Sequence, residues 1–169
     1  VGIVRALLGN IKNIGSGRRP AGASTITQQV AKNMLLSSEL SYTRKIKEAI
    51  LATRIENAFS KDHILELYLN EIYLGNRSYG VAAAALNYFG KSLNELNIEE
   101  IAYLAALPKG PNNYHPKRKY EAAVGRRNWV LDRMSEEGYI SEEEAAAAKE
   151  KPLTTVERSG GFLKNAEYF

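Results

Sequence analysis

The chain has 169 residues, which is enough for one domain with a core of its own and requires neither disulfides nor a structural metal. It contains no cysteine, which excludes thiol catalysis and cysteine-based zinc sites. Its 23 Lys and Arg residues against 19 Asp and Glu residues give a net charge of +4, a mild positive field that favours phosphates, anionic lipid headgroups or nucleic acid. No apolar run is long enough to span a bilayer and no export leader is visible, so any membrane anchor is expected outside this sequence.

The first predicted helix has apolar residues at helical spacing, namely Ile3, Val4, Leu7, Leu8 and Ile11. Val1 stands in the middle of this pattern without a capping residue, so the start of the element is expected upstream. Residues 15–22 follow as a glycine- and proline-rich loop that carries Arg18 and Arg19. This segment is expected either to lie at a membrane surface, with its arginines facing lipid phosphates, or to pack its apolar face on the core.

A second helix is predicted from Ser24 or Thr25 to about Leu36, because Thr25 and Gln28 have the spacing of a capping box. Free backbone N–H groups and the positive end of the helix dipole make such a start attractive to anions. The side chains that can bind phosphate or sugar there are Ser24, Thr25, Gln28, Gln29, Lys32 and Asn33. An ordinary capped helix with a solvated lysine explains the same residues, and local chemistry alone favours that simpler interpretation.

A third predicted helix, over residues 41–59, contains a compact charged cluster. Arg44, Lys45 and Lys47 immediately precede Glu48. Arg44 and Glu48 are spaced i,i+4 and can pair on one face of the helix. The flanking cations should keep the carboxylate ionised, which suits it to hold a cation or to position charged groups rather than to donate a proton. A surface salt bridge is the simpler explanation of the same pattern.

The rest of the chain is also predicted to be helical. Residues 49–52 are apolar nearly all round, which predicts that the third helix is buried in the middle of the domain. Further helices are predicted to begin at Ser60, about Gly80, Asn97, Lys117 and Ser141. The first of these is expected to end at Gly75. Almost no segment alternates with a period of two, so the fold is predicted to be all-α, with residues 153–169 as a less regular exit segment.

Three side chains of types that often mark functional sites are not predicted to act in one here. His63 and His115 stand apart from any second imidazole or carboxylate at ligand spacing, so neither is predicted to bind metal or to act in catalysis. Trp129 follows two arginines and is predicted to be a packing aromatic rather than a platform for sugar.

Four long stretches stand in a characteristic order along the chain. They are GASTITQQVAKN at 22–33, RKIKE at 44–48, KDHILELYLNEIYLG at 61–75 and AYLAALPKGP at 102–111. In this order they are similar to four of the five signature motifs of family 51 glycosyltransferases. The joint match of four ordered motifs outweighs the simpler explanation of each one alone.

The resemblance implies an all-α fold with a lysozyme-like helical head and a small membrane-associated jaw, whose loop lies at about residues 10–22. A glycosyltransferase domain, incomplete at its N-terminus, is expected over residues 1–152. Residues 153–169 resemble the exit towards the transpeptidase domain of bifunctional class A penicillin-binding proteins.

The resemblance also implies an activity. Such enzymes polymerise lipid II into β-1,4-linked glycan strands, with inversion at the anomeric carbon and release of undecaprenyl pyrophosphate. The expected partners are lipid II, the growing lipid-linked glycan, the bacterial membrane and a moenomycin-type inhibitor, and not nucleic acid. The expected location is the outer, periplasmic face of the cytoplasmic membrane.

The resemblance also assigns site residues, by matching positions in the 22–33 and 44–48 motifs to those of the family. Glu48 is implied to be the second of two family glutamates and to assist the pyrophosphate. Arg44, Lys45 and Lys47 join the second-helix residues as candidate substrate contacts, and they offset the charge of the leaving group. The residues require no cofactor and predict no metal site, although Mg²⁺ or Mn²⁺ can accompany the pyrophosphate in this family.

Two features depart from the family pattern. The motif that resembles EDxxFxxHxG and supplies the general base is absent, and it is expected just before Val1. Loss of a positioned base costs roughly 10²–10⁴ in rate, so the chain alone is expected to be inactive or nearly so. An arginine that often follows the motif lysine is replaced by Leu40, which weakens donor binding unless Arg18, Arg19 or other cations compensate.

Two other functions remain open at this point. A lytic, lysozyme-type hydrolase would act on a similar substrate, but it needs an acidic group in an apolar setting rather than one surrounded by cations. A non-enzymatic cationic module that binds membrane or nucleic acid would fit the charge, but it leaves the STITQQ stretch unexplained.

Overall fold

The computed structural model describes residues 24–34 and 42–156, and these fold into helices joined by short turns. The α-helices are α1 (Ile26–Met34), α2 (Tyr42–Ala58), α3 (Lys61–Glu71), α4 (Val81–Phe89), α5 (Ile98–Ala106), α6 (Tyr120–Glu136) and α7 (Glu142–Glu150). Short 3₁₀ helices occupy Leu93–Glu95, Leu107–Lys109 and Pro111–Asn113. Within the described ranges no strand forms beyond an isolated bridge between Tyr73 and Tyr79. The predicted all-α class is confirmed.

Several predictions fall outside these ranges. They concern residues 1–23, 35–41 and 157–169, which include the first helix, the arginine loop of the jaw, Leu40 and most of the exit segment. In the part that the structure describes, no helix is both long and apolar enough to cross a membrane.

The chain divides into two compact units, residues 1–71 and 72–169. In the first unit, α1 packs against both α2 and α3. Each helix contributes a narrow buried stripe, made of Thr27, Val30 and Ala31 on α1, Glu48, Ala52 and Ile55 on α2, and Ile64 and Tyr68 on α3. Residues three or four apart lie on the same helix face, so a single stripe on each helix forms the core of the described part of this unit.

The expectation that α2 is buried all round is wrong. Ala49 is exposed, and Ile50 keeps 51% of its surface exposed in the described structure. Helix α2 buries only the stripe that contains Ala52. Apolar residues outside that stripe, such as Ile50, face outward. Hydrophobic content alone does not reveal how many sides of a helix are covered.

The second unit has its main core between α5, α6 and α7. Ala102, Leu131 and Ala148 lie at its centre, with Ile98 and Met134 among the partly buried residues around them. A second cluster is aromatic: the ring of Tyr103 meets those of Tyr88 and Phe89 edge-on, with centroids 5.6 and 6.1 Å away. Edge-to-face packing is a favoured aromatic geometry, and this cluster joins α4 to α5.

Helix starts follow the capping patterns of the sequence. The box of Asn97 and Glu100 caps α5, and that of Ser141 and Glu144 caps α7. Ser60 accepts a hydrogen bond from the backbone N–H of His63 at the start of α3. The helix predicted from Lys117 begins three residues later, because the His115 side chain accepts the backbone N–H of Lys117 and holds a turn there.

The expectation that Gly75 ends a helix is wrong. Helix α3 ends at Glu71, and Gly75 lies in the tight turn that joins Tyr73 to Tyr79. It has φ +81°, and a Cβ on it would lie 2.8 Å from both Pro111 Cβ and the Tyr88 hydroxyl. Glycine is therefore required there by backbone conformation and by close packing.

The described part of the exit segment, residues 153–156, is irregular but, with the two residues before it, is firmly attached within the second unit. Arg127 donates hydrogen bonds to the carbonyls of Lys149 and Lys151, at 3.0 and 2.7 Å. Further along, the backbone N–H of Leu153 donates to the Tyr120 hydroxyl, and that of Val156 donates to the Tyr88 carbonyl. Absence of regular structure here does not mean absence of hydrogen bonds.

Candidate functional site

The RKIKE stretch forms a buried ionic cluster at the start of α2. Arg44 Nε donates to Glu48 Oε1 at 3.0 Å, and Lys45 Nζ donates to Glu48 Oε2 at 2.5 Å. Spacings of three and four residues place both cations beside the carboxylate on the helix surface. Glu48 is only 2% exposed, whereas the Lys45 side chain is 61% exposed. The carboxylate is thus enclosed, and one of its two partners reaches solvent.

The environment of Glu48 fixes its protonation state. Burial alone raises the pKa of the carboxyl, but the hydrogen bonds and charges of Lys45 and Arg44 outweigh it and hold the pKa below its ordinary value of 4.5. Glu48 is therefore ionised at neutral pH and accepts hydrogen bonds on both oxygens. This arrangement orients cations and does not supply a proton.

Lys47 lies exposed on α2 and takes no part in the Glu48 contacts. The stretch holds three cations and one carboxylate, so it keeps an excess of positive charge. A group with accumulating negative charge would be stabilised there, since Arg44 and Lys45 are already held in place.

Helix α1 carries the other predicted contacts. The backbone N–H of Thr25 donates to Gln28 Oε1 at 3.0 Å, and the N–H of Gln28 donates to Thr25 Oγ1 at 3.1 Å, so the predicted capping box is confirmed. These two side-chain oxygens therefore serve the helix end. Gln29 is half-buried beside them.

The remaining predicted side chains of α1 face outward. Ser24, Lys32 and Asn33 are exposed, while α1 packs its opposite stripe against α2. The structure thus brings Arg44, Lys45 and Glu48 into direct contact and places the α1 residues on a neighbouring helix of the same unit.

A cleft at the start of α1 was not predicted from the sequence. It has a volume of about 490 Å³ and is lined by Thr25, Ile26, Thr27, Glu56, Phe59, Lys61, Asp62, Ile64 and Leu65. Ile26, Phe59 and Leu65 are large apolar side chains that remain exposed at its walls. The signal was present as apolar residues beside helix ends, but their juxtaposition depends on how three helices pack.

The side chains that the structure describes do not form a ready site for a divalent cation. In residues 24–34 and 42–156, no three His, Asp or Glu side chains converge as metal ligands would. Both oxygens of Glu48 already accept hydrogen bonds from Arg44 and Lys45. A cation at this cluster would have to displace a lysine or take its ligands from phosphate.

The two histidines have local roles. His63 lies 3.3 Å from Glu66 and its ring packs on Phe59, with centroids 5.0 Å apart. Burial, together with the nearby cation Arg118, lowers the pKa of His115, whose Nδ1 accepts backbone N–H groups in the turn before α6. Trp129 differs from the expected packing aromatic, because 48% of its surface is exposed.

Comparison with known proteins agrees with this architecture. The family model described as Transglycosylase matches residues 1–135. Penicillin-binding protein 1A of Aquifex aeolicus is 53% identical over 169 residues, which is 100% of this chain and 23% of that protein. Penicillin-binding protein 1A of Rickettsia bellii is 51% identical over 168 residues, 99% of this chain and 21% of that protein. The chain thus spans about a fifth of the length of the curated relatives that it matches.

A solved structure also aligns with the chain. The crystal structure of penicillin-binding protein 1A from Haemophilus influenzae matches 83% of this chain and 18% of its own, with a TM-score of 0.55 and 42% sequence identity. The helical fold and the family prediction are therefore confirmed together. The chain belongs to the transglycosylase family.

Proposed function

We propose that this chain is the peptidoglycan glycosyltransferase domain of a longer, class A penicillin-binding protein. It would polymerise lipid II into β-1,4-linked glycan at the outer face of the bacterial cytoplasmic membrane. The observation that carries the proposal is the enclosed carboxylate of Glu48, held between Arg44 and Lys45 in a stretch that resembles the family motif.

The cluster fits one half of the reaction. The 4-hydroxyl oxygen of an incoming lipid II attacks the anomeric carbon of the lipid-linked strand, and the bond from that carbon to the pyrophosphate oxygen breaks. The hydroxyl proton passes to a base, and undecaprenyl pyrophosphate leaves with the bonding electron pair. Negative charge grows on that leaving group, and preplaced cations lower its energy where it develops.

Glu48 acts in this proposal as a positioning residue for the cations. Because both of its oxygens accept hydrogen bonds, it restrains the Arg44 guanidinium and the Lys45 ammonium before substrate arrives. An ammonium has three donor hydrogens, so Lys45 can contact Glu48 and a phosphate at the same time. Lys47 and Lys32 supply exposed positive charge, and Ser24, Gln29 and Asn33 offer hydrogen bonds to sugar or phosphate oxygens.

The proton acceptor is not among the residues described. The glutamate motif expected for that role does not occur in this sequence. We therefore expect the chain by itself to bind the lipid pyrophosphate without turning it over. A moenomycin-type inhibitor is expected to compete for the same cations.

Polymerisation of lipid II by the longer protein tests the proposal. The expected result is glycan polymer from the parent and a loss of about 10²–10³-fold in rate for Glu48→Gln. Glu66→Gln is the matched control, since Glu66 lies on α3 with a side chain that is 66% exposed. Cleavage products instead of polymer would support a lytic hydrolase. The absence of both polymer and cleavage products would support a non-enzymatic binding module.

The hydrolase alternative has less support from the site. A lytic enzyme requires a carboxylic acid that stays protonated near neutral pH, which an apolar pocket provides by raising the pKa. The cations around Glu48 lower its pKa instead. No other acidic side chain of the predicted site replaces it.

A further inference from the structure

One face of α6 presents an exposed tryptophan between two arginines. The Arg126 guanidinium lies 3.8 Å from the centre of the Trp129 ring, and that of Arg133 lies 5.8 Å from it. The spacings of three and four residues place all three side chains on adjacent turns. Trp129 nevertheless keeps 48% of its surface exposed. We call Gly125, Arg126, Trp129 and Arg133 the Trp129 surface.

The two arginines differ in what balances their charge. Arg133 forms an ion pair with Glu136. Arg126 forms none with the residues that the structure describes, and its Nε is buried without a hydrogen-bond partner. A buried donor without an acceptor is unfavourable, and a guanidinium without a carboxylate nearby attracts an anion. The Trp129 surface therefore has an uncompensated cation against an aromatic ring.

Gly125 makes this surface open. It lies inside α6, four residues before Trp129, where glycine is a poorer helix former than alanine. A Cβ added at Gly125 would meet no atom within 4 Å, so packing of the described residues does not require glycine there. Because Gly125 lies one turn before Trp129 on the same side of the helix, the open space over it lets a flat group approach the backbone closely.

We propose that the Trp129 surface binds glycan that contains muramic acid, the product class of the proposed function on which this inference rests. The apolar face of a pyranose ring would pack on the indole, beside Gly125. The carboxylate of the muramyl group would pair with Arg126, which supplies two parallel N–H donors to such a group. The surface would thus hold finished strand outside the Glu48 cluster.

A lipid surface fits this face of α6 less well. An interfacial helix buries a broad apolar face, whereas the large apolar side chains that α6 exposes are Trp129 and Tyr120. Tyr120 is already engaged through its hydroxyl, which accepts the backbone N–H of Leu153.

The single tryptophan of the chain makes the proposal directly measurable. Peptide-free oligosaccharides of alternating N-acetylglucosamine and N-acetylmuramic acid are titrated into the chain while its tryptophan fluorescence is recorded. We expect a saturable change that weakens by about tenfold in Arg126→Gln, because one charge-assisted hydrogen-bonded pair is lost. Arg118→Gln, an exposed arginine outside α6, is the matched control.

Calorimetry with Trp129→Ala gives a second measurement that does not need the fluorophore, and circular dichroism checks that each variant is folded. Loss of binding in folded Trp129→Ala supports the proposal. Equal binding of chitin oligosaccharides, which lack the carboxylate, would overturn it. Binding to phosphatidylglycerol vesicles that both variants abolish, without a response to muramyl glycan, would replace it with a lipid surface.

Glu48→Gln separates this inference from the proposed function. That variant should bind the oligosaccharides as tightly as the parent, since Glu48 belongs to the other unit of the chain. Polymerisation that depends on Glu48, with no tryptophan response to glycan, would overturn the Trp129 surface alone. A tryptophan response with no polymerisation would support the surface and contradict the proposed function.

Discussion

Glu48 in the first unit and Arg127 in the second are both buried charged side chains, but they are stabilised by different kinds of partner. Glu48 is held by the side chains of Arg44 and Lys45, and Lys45 extends into solvent. Arg127 is 1% exposed, and its guanidinium donates hydrogen bonds to the carbonyls of Lys149 and Lys151. Side-chain cations that hold a buried carboxylate can still contact a ligand where, like Lys45, they reach solvent. A buried guanidinium whose donors bind backbone carbonyls instead fixes a chain segment.

The surroundings of Arg127 support its structural role. Burial lowers the pKa of its guanidinium, while the opposing charges of Tyr120 and Glu99 raise it. Its donors satisfy carbonyls at and just beyond the C-terminal end of α7, where a helix leaves acceptors unpaired and where positive charge is favourable. Arg127 therefore fixes the chain where the exit segment begins after α7.

The largest effect on stability is expected from Arg127→Met. Methionine fills similar space but donates no hydrogen bonds, so the carbonyls of Lys149 and Lys151 lose their partner. We expect a loss of about 2–5 kcal/mol in the free energy of unfolding, measured by urea denaturation. Arg118→Met, an exposed control, should change it by less than about 0.5 kcal/mol. Equal small changes in both variants would contradict the contrast between the two buried charges.

A smaller loss of stability is expected from Glu48→Gln. The amide still offers one acceptor oxygen, and Lys45 can turn its ammonium towards water. The carboxylate charge beside Arg44 and Lys45 is lost, so we expect a loss of about 1–2 kcal/mol in the free energy of unfolding by urea denaturation. The same variant should abolish most polymerisation in the longer protein, so activity should suffer far more than the fold. A loss as large as that of Arg127→Met would instead make Glu48 mainly structural.

The pH dependence of stability sharpens the same contrast. The pKa of Glu48 is lowered in the folded chain, so its stabilising contribution is present above pH 4.5 and is lost as pH falls further. The difference in the free energy of unfolding between the parent and Glu48→Gln should therefore shrink below pH 4.5. Arg127 stays charged throughout this range, so the deficit of Arg127→Met should not shrink in the same way. Urea denaturation at a series of pH values measures both differences.

Much of the fold followed from local sequence chemistry. The capping boxes that begin at Thr25, Asn97 and Ser141 fixed helix starts, because they depend on residues three positions apart. Gly75 was misplaced because its conformation depends on Pro111, which is remote in the sequence. Local patterns report local hydrogen bonds and carry little information about distant contacts.

The features of the candidate site also fall into those that local sequence predicts and those that depend on distant contacts. Contact between Glu48 and Arg44 followed from helical spacing, and the ionised state of the carboxylate followed from its neighbours. Burial of Glu48, the apolar cleft at the start of α1 and the exposure of Trp129 depend on which helices pack together. None of these is encoded in a run of adjacent residues.

The smallest change in stability is expected from substitution of Gly125. This substitution tests whether packing requires glycine at that position of the second unit. Gly125→Ala should raise the free energy of unfolding by about 0.5–1 kcal/mol, because alanine is the better helix former and its Cβ meets no atom within 4 Å. If glycine is there for a ligand, the same change should weaken binding of muramyl glycan. Denaturation and tryptophan fluorescence on one sample measure both effects. A stabilised variant with unchanged binding would leave Gly125 without a functional explanation, whereas a destabilised one would show that packing requires it.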